Sequence, residues 1–328
     1  MRRRSKQTLF STIAAVFVLM IPVFLAGQAP PLPQAPQAPQ AKSDPEADAV
    51  FSSDTRLVPL NVTVTDKTGH LITDLPQSAF TVLENGAPQQ IKIFKSEDVP
   101  VSIGLIIDNS GSMREKRQAV ESAALTLVKA SNPQDEAFVV NFNDDAYLDT
   151  PDLTSDIKVL EAALTKINSK GGTAMRDALR MSIDELKKKA KKDKKVLLIV
   201  TDGNDNASVE TLESVVREAQ QNDILVYAIG LLSQEERKEA RAAKRALDLL
   251  VTSTGGQVFY PNAVTEVETI AREVARDIRS QYTMAYTPAN TALDGTFRQI
   301  KVLVKARSNA TARTRLGYYA TKERGAKR

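Results

Sequence analysis

The sequence predicts an α/β chain: a doubly wound, mainly parallel sheet inserted in a smaller β-sandwich built from both flanks. Between residues 101 and 281, almost wholly apolar runs alternate with amphipathic stretches of helical period, the pattern of a sheet covered by helices on both faces. On either side of that block the period drops to two, as in half-buried antiparallel strands. Neither flank holds enough strands to bury a core alone, so the two are expected to pair.

In chain order, Arg2, Arg3, Arg4 and Lys6 form a basic start, Leu9 to Leu25 is apolar, and Ala26, Gly27 and Ala29 are small. Residues 1–29 therefore read as a signal peptide, with retention as a membrane anchor the alternative; the apolar run is short for a spanning helix of about 20 residues. Residues 30–55 are a Pro/Gln/Ala-rich linker. Residues 56–98 are a first β segment: Val58, Leu60, Val62 and Val64 alternate with polar residues, and Phe80 to Leu83 lead through Asn85-Gly86 into Ile91 and Ile93.

The central block spans 99–281. Its buried strands are Val101 to Ile107, Ala137 to Phe142, Val196 to Thr201, Ile224 to Gly230 and Gln257 to Tyr260, with Tyr147 to Thr150 as a candidate antiparallel edge. Helical faces are set by Val120, Ala123, Ala124, Leu127 and Val128, by Val209, Leu212, Val215, Val216 and Ala219, and by Val264, Val267, Ile270, Ala271, Val274 and Ile278. Ser233 and Glu236 form a capping-box pattern ahead of another helix. Residues 282–320 return to period two at Tyr282, Met284 and Tyr286 and again at Ile300, Val302 and Val304, and Thr314 to Tyr319 reads as one more strand. Residues 321–328 are a basic tail.

Composition excludes more than it names. With the four basic residues of the export signal removed, the formal charge of +4 falls to zero, so nothing favours nucleic acid as a partner. No cysteine and a single histidine, His70, leave zinc hydrolysis and Cys-His or Ser-His catalysis without components. The lysine-rich stretch Lys187 to Lys195 is read as the solvated end of a helix.

The stretch that carries chemistry is Asp108-Asn109-Ser110-Gly111-Ser112, directly after the first buried strand. Asp108, Ser110 and Ser112 alternate along a tight turn and can face one centre. A helix cap needs only one such residue. Asp202 ends a second buried strand, and Thr173 follows Gly171-Gly172 at the start of a helix. In a doubly wound sheet these positions share the carboxyl edge, where ligands bind. All five are hard oxygen donors, suited to Mg²⁺ (or Mn²⁺ or Ca²⁺) with a coordination position left for water or an outside carboxylate. Asn143, Asp144, Asp145 and Asp205 are further polar groups near that edge.

This set resembles the von Willebrand factor A domain with its metal-ion-dependent adhesion site: DxSxS at Asp108 to Ser112, the loop threonine at Thr173 and the second aspartate at Asp202. The resemblance implies a six-strand Rossmann-like sheet of order 3-2-1-4-5-6 and a last helix, Val264 to Ile278, that shifts with ligand occupancy. The flanks, from Val64-Thr65-Asp66 to Glu84-Asn85-Gly86 and at Gly317 to Ala320, are similar to exported bacterial proteins of acidobacterial type that carry such a domain.

The expected function is a non-enzymatic, exported binding or adhesion module that takes a carboxylate of a protein partner at a divalent cation. Its location would be the periplasm, cell surface or medium, with no membrane span unless the N-terminal segment is retained. The alternatives are a Mg²⁺-dependent hydrolase or phosphotransferase, for which Arg114 and Arg176 are the nearby phosphate-gripping candidates, and a structural envelope component with a vestigial metal site.

Overall fold

The computed structural model describes residues 56–166, 169–232, 237–305 and 310–321. The expected signal peptide and linker, the Ser233–Glu236 capping box and the tail beyond Thr321 lie outside the described residues.

The first flank forms β1 (Val58–Thr65), β2 (Phe80–Glu84), β3 (Ala87–Gln89) and β4 (Ile91–Lys95). Asn85 and Gly86 both take positive φ, 47° and 83°, which gives the two-residue turn between β2 and β3 the twist of its strands. The central block then runs through β5 (Val101–Asp108), α1 (Arg117–Ala130), β6 (Glu136–Phe142), β7 (Ala146–Leu148), α2 (Ile157–Leu164) and α3 (Met175–Lys189). It continues with β8 (Lys194–Thr201), α4 (Leu212–Gln221), β9 (Ile224–Gly230), α5 (Arg237–Thr254), β10 (Val258–Phe259) and α6 (Val267–Arg279). The second flank is β11 (Tyr282–Tyr286), β12 (Phe297–Val304), β13 (Thr311–Arg313) and β14 (Gly317–Tyr319).

The central strands make a six-stranded sheet of order β10-β9-β8-β5-β6-β7, parallel except for the β6–β7 edge pair. Numbered within the block, this is the 3-2-1-4-5-6 order. β5 and β8 lie side by side, with Ile107 opposite Val200, and the strand order reverses between them. Side chains of α1, α2 and α6 pack on one face around Leu105 and Tyr227. Those of α3, α4 and α5 pack on the other around Ile106 and Phe138. On that second face Gly104 leaves the room that Leu197 and Phe138 fill: a Cβ there would stand 2.5 Å from the Leu197 side chain.

The flanks assemble into two four-stranded sheets, β13-β1-β11-β4 and β14-β12-β2-β3, each holding strands from both ends of the chain. Their inner faces meet in one core that includes Leu60, Val62, Val82, Met284, Tyr286 and Ile300. One expectation is corrected here. Thr314 to Tyr319 does not continue as a single strand: β13 ends at Arg313 in one sheet, and β14 begins at Gly317 in the other. Arg315 sits in the crossing, its buried guanidinium paired with Asp223 and donating to Pro59 O at 2.8 Å and Gln220 O at 3.3 Å. The bonds to Asp223 and Gln220 tie the crossing segment to the central block, and the bond to Pro59 ties it to β1.

A second tie joins the end of α6 to the sandwich. The buried Asp277 carboxylate accepts from Thr63 Oγ1 of β1 at 2.8 Å, from the Tyr227 hydroxyl of β9 at 2.8 Å, and from Arg313 of β13. Gln281 adds bonds to Thr63 Oγ1 and to the Tyr227 hydroxyl, both at 3.1 Å. Close by, the buried Lys194 ammonium donates to the carbonyl of Ile278.

Candidate metal centre

Each of the five oxygen-bearing residues arrives on its own backbone support. β5 is buried along its whole length and delivers Asp108 at its carboxyl end. The next residue is fixed by Asn109 N donating to Phe142 O of the neighbouring strand at 2.6 Å. Under the turn, Met113 is fully buried and pins the short helical segment Gly111–Met113 to the core. The Gly171-Gly172 loop is held against it from outside, with Gly111 N donating to Gly171 O at 3.3 Å and Lys170 N to Asn109 O at 3.2 Å. Gly171 has φ +79°, and a Cβ there would lie 2.1 Å from Asp144 Oδ2, so both conformation and space require glycine. Thr173 is gripped at its backbone: its N–H donates to Asn206 Oδ1 at 2.8 Å, and its carbonyl accepts from Asn206 N at 3.1 Å. Asn143 and Asp144 serve this loop too. Asn143 O accepts from Ala174 N at 2.7 Å, and Asp144 Oδ1 accepts from Gly172 N at 2.7 Å.

Hydrogen bonds link four of the five residues, Asp108 through the backbone N–H of Ser110. Ser110 Oγ and Ser112 Oγ are 3.2 Å apart, and Ser112 Oγ donates to Asp202 Oδ1 at 2.8 Å. The Asp108 carboxylate accepts from Ser110 N at 2.8 Å and from the Thr201 hydroxyl, one residue before Asp202, at 2.6 Å. Thr173 stands across from them: a Cβ built on Gly203 would come within 3.7 Å of Thr173 Oγ1. Asp108, Ser110, Thr173 and Asp202 are buried, whereas Ser112 is exposed and marks the open side.

Two acids this close and this dry are costly as paired anions. Burial pushes the Asp108 carboxyl up to about 6, against the hydrogen bonds from Ser110 and Thr201, and the charge of Asp202 pushes the same way. Asp202 meets a cation. The buried Lys116 ammonium, just ahead of α1, pairs with Asp202 Oδ2. Next to it Arg117, also buried, donates to Asn141 Oδ1 at 2.7 Å and Leu164 O at 2.9 Å, while its Nε and Nη1 find no hydrogen-bond partner among the described residues. Sequence reasoning did not single out Lys116, Arg117 or Thr201.

The donors suit a hard divalent cation, since every one is an oxygen and one of the two buried carboxylates, Asp108, has no paired cation among the described residues. Among the described residues there is no group of three or more His, Cys, Asp or Glu placed to hold a metal, so the hydroxyls of Ser110, Ser112 and Thr173 would be an essential share of any shell. The two arginines named for phosphate chemistry are otherwise engaged: Arg176 Nη2 pairs with Asp205 at 2.8 Å, and Arg114 Nη2 donates to Ser169 O at 3.3 Å. Among the described residues no helix is long and apolar enough to cross a membrane.

Residues 103–204 match the von Willebrand factor type A domain family. Calcium-activated chloride channel regulator 1 of Equus caballus is 25% identical over 201 residues, which cover 59% of this chain and 19% of that protein. This chain thus matches about a fifth of the length of its curated relative. A solved von Willebrand factor type A structure from Catenulispora acidiphila superimposes with a TM-score of 0.50 at 15% identity, covering 83% of this chain and 76% of that one. The vWF domain of the type V pili tip protein Mfa5 from Porphyromonas gingivalis has a TM-score of 0.46 at 14% identity, over 55% of this chain and 97% of that one. The matched residues run from β5 through Asp202, and the central α/β block that contains them has the fold of the Catenulispora von Willebrand factor type A structure.

Proposed function

We propose that this chain is an exported, non-enzymatic binding module whose A domain holds Mg²⁺, or Mn²⁺ or Ca²⁺, at a metal-ion-dependent adhesion site and takes a carboxylate of a protein partner there. The observation that carries this reading is the convergence of Asp108, Ser110, Ser112 and Asp202 through hydrogen bonds at the carboxyl edge of adjacent strands, with Thr173 opposite. A bound dication supplies an electrophilic position on the open side for an outside carboxylate oxygen. Asp108 and Asp202 would hold the cation's charge, the hydroxyls of Ser110, Ser112 and Thr173 would add neutral donors, and the Gly171-Gly172 loop would keep Thr173 in reach. Two protein carboxylates would only just balance the cation's charge and the neutral hydroxyls would add none, so the cation would stay electrophilic toward a partner's acidic side chain. Export rests on the basic and apolar pattern of residues 1–29.

Isothermal titration of Mg²⁺ and Mn²⁺ into the chelator-treated chain, beside Asp108→Ala, tests the site. Saturable binding by the parent and its loss in the variant are expected. Equal binding by both would remove the site as assigned.

A further inference from the structure

Lys116 is the feature of the site that the adhesion reading leaves unused. It lies four residues after Ser112, is 5% exposed, and among the described residues pairs with one acid, Asp202. Asp202 is wholly buried, and the chain's own groups take both its oxygens: Oδ1 accepts from Ser112 and Oδ2 from Lys116. Beyond Lys116, Arg117 brings a second buried cation whose charge bears on Asp108. Asp202 therefore carries its own counter-cation in contact, whereas Arg117 acts on Asp108 only through space. An ammonium cannot share a carboxylate oxygen with a dication at close range without strong repulsion, and cation affinity falls with the net negative charge of the ligand set.

We propose that Lys116 is a built-in counter-cation that holds Asp202 back from the metal, so that this chain binds a free divalent cation weakly. The inference rests on the metal reading given above and adds a direction to it: removing the charge of Lys116 strengthens metal binding. A residue that merely props Asp202 in place would have the opposite effect on removal. The consequence for recognition is that the missing negative charge comes with the partner's carboxylate, so cation and acidic ligand are taken up together.

The test is Mg²⁺ titration of the full chain and its Lys116→Met and Lys116→Gln variants. Gln keeps a hydrogen-bond donor toward Asp202 without the charge. Both variants should bind Mg²⁺ at least tenfold more tightly than the parent, and Asp108→Ala placed on Lys116→Gln should abolish the gain. In chelator the variants should melt below the parent, because Asp202 has lost its partner, and Mg²⁺ should restore them by a larger rise in Tm than it gives the parent. Should Lys116→Met need metal to fold, refolding on Mg²⁺ addition supports the same conclusion. Saturable binding by the parent with equal or weaker binding by both variants would overturn the counter-cation role and leave the metal reading standing. No Mg²⁺ binding by parent or variants, all folded by circular dichroism, would overturn both.

Discussion

The molecule buries carboxylates in two places, at the carboxyl edge of its central sheet and at the junction with the sandwich, and treats them differently. Asp277 at the junction accepts from an arginine, a phenol and a hydroxyl, each on a different strand, so its charge and hydrogen-bonding capacity are consumed within the fold. Asp108 at the sheet edge accepts from one backbone N–H and one hydroxyl and, among the described residues, has no cation in contact, and burial holds its carboxyl up at about 6. The first arrangement is a fastening and the second is a ligand set with unmet demand. Burial of an acid alone does not separate the two; the identity of its donors does.

The comparison breaks most visibly if Asp277 is removed. Asp277→Ala leaves Arg313, Tyr227 and Thr63 without their shared acceptor and should cost about 3 kcal/mol in urea denaturation, with Mg²⁺ affinity unchanged. A large change in Mg²⁺ affinity would show that the two places are not separate.

A smaller effect, of about 1–2 kcal/mol, is expected from Asp108 as pH changes. Its folded value of about 6 lies above the unfolded 3.8, so between those values the folded chain binds more protons than the unfolded one. Metal-free stability should therefore be greater at pH 5 than at pH 7.5, through this group, and should decline as pH rises through about 6. Asp108→Asn should flatten that slope, and saturating Mg²⁺, which favours the anion, should reverse it. Urea midpoints measured across the pH range in chelator and in Mg²⁺ would check the sign.

The smallest expected effect contrasts two hydroxyls. Thr63→Val removes a donor to Asp277 and should cost about 1 kcal/mol with no change in Mg²⁺ binding. Thr201→Val removes the donor that orients Asp108 and should weaken Mg²⁺ binding several-fold. Equal effects of both on stability and on binding would erase the distinction drawn between fastening and ligand set.

The five oxygen residues were legible in the sequence because three share one turn and the others stand where a buried strand or a glycine pair meets its loop, positions that local pattern reveals. Lys116 and Arg117 were not, since a basic residue at the start of an amphipathic helix is read as solvated; the packing of the turn over Met113 sends both inward. Thr201 looked like the last residue of an apolar strand, and its contact with Asp108 depends on the pairing of β8 with β5. Helix α2 was missed as well: eight residues are too few for a clear helical period, and what starts it is a cap, Asp156 Oδ1 accepting from Lys158 N at 2.9 Å. The sandwich strands were visible by their alternation, whereas the switch of sheets around Arg315 follows from a tertiary ion pair.

The connectivity of the sandwich sets an order of events during folding. Asn61 and Thr283 lie on paired strands yet are 222 residues apart, and pairing them in an open chain requires closing that whole length. Lys95 and Thr283, at the two exits from the central block, are direct neighbours on β4 and β11. Once the α/β block has formed, its ends stand together, and the remaining closure is between segments already in reach. On contact order the inserted block is thus expected to template the meeting of the two sandwich halves, with sandwich assembly the later and slower step in refolding kinetics.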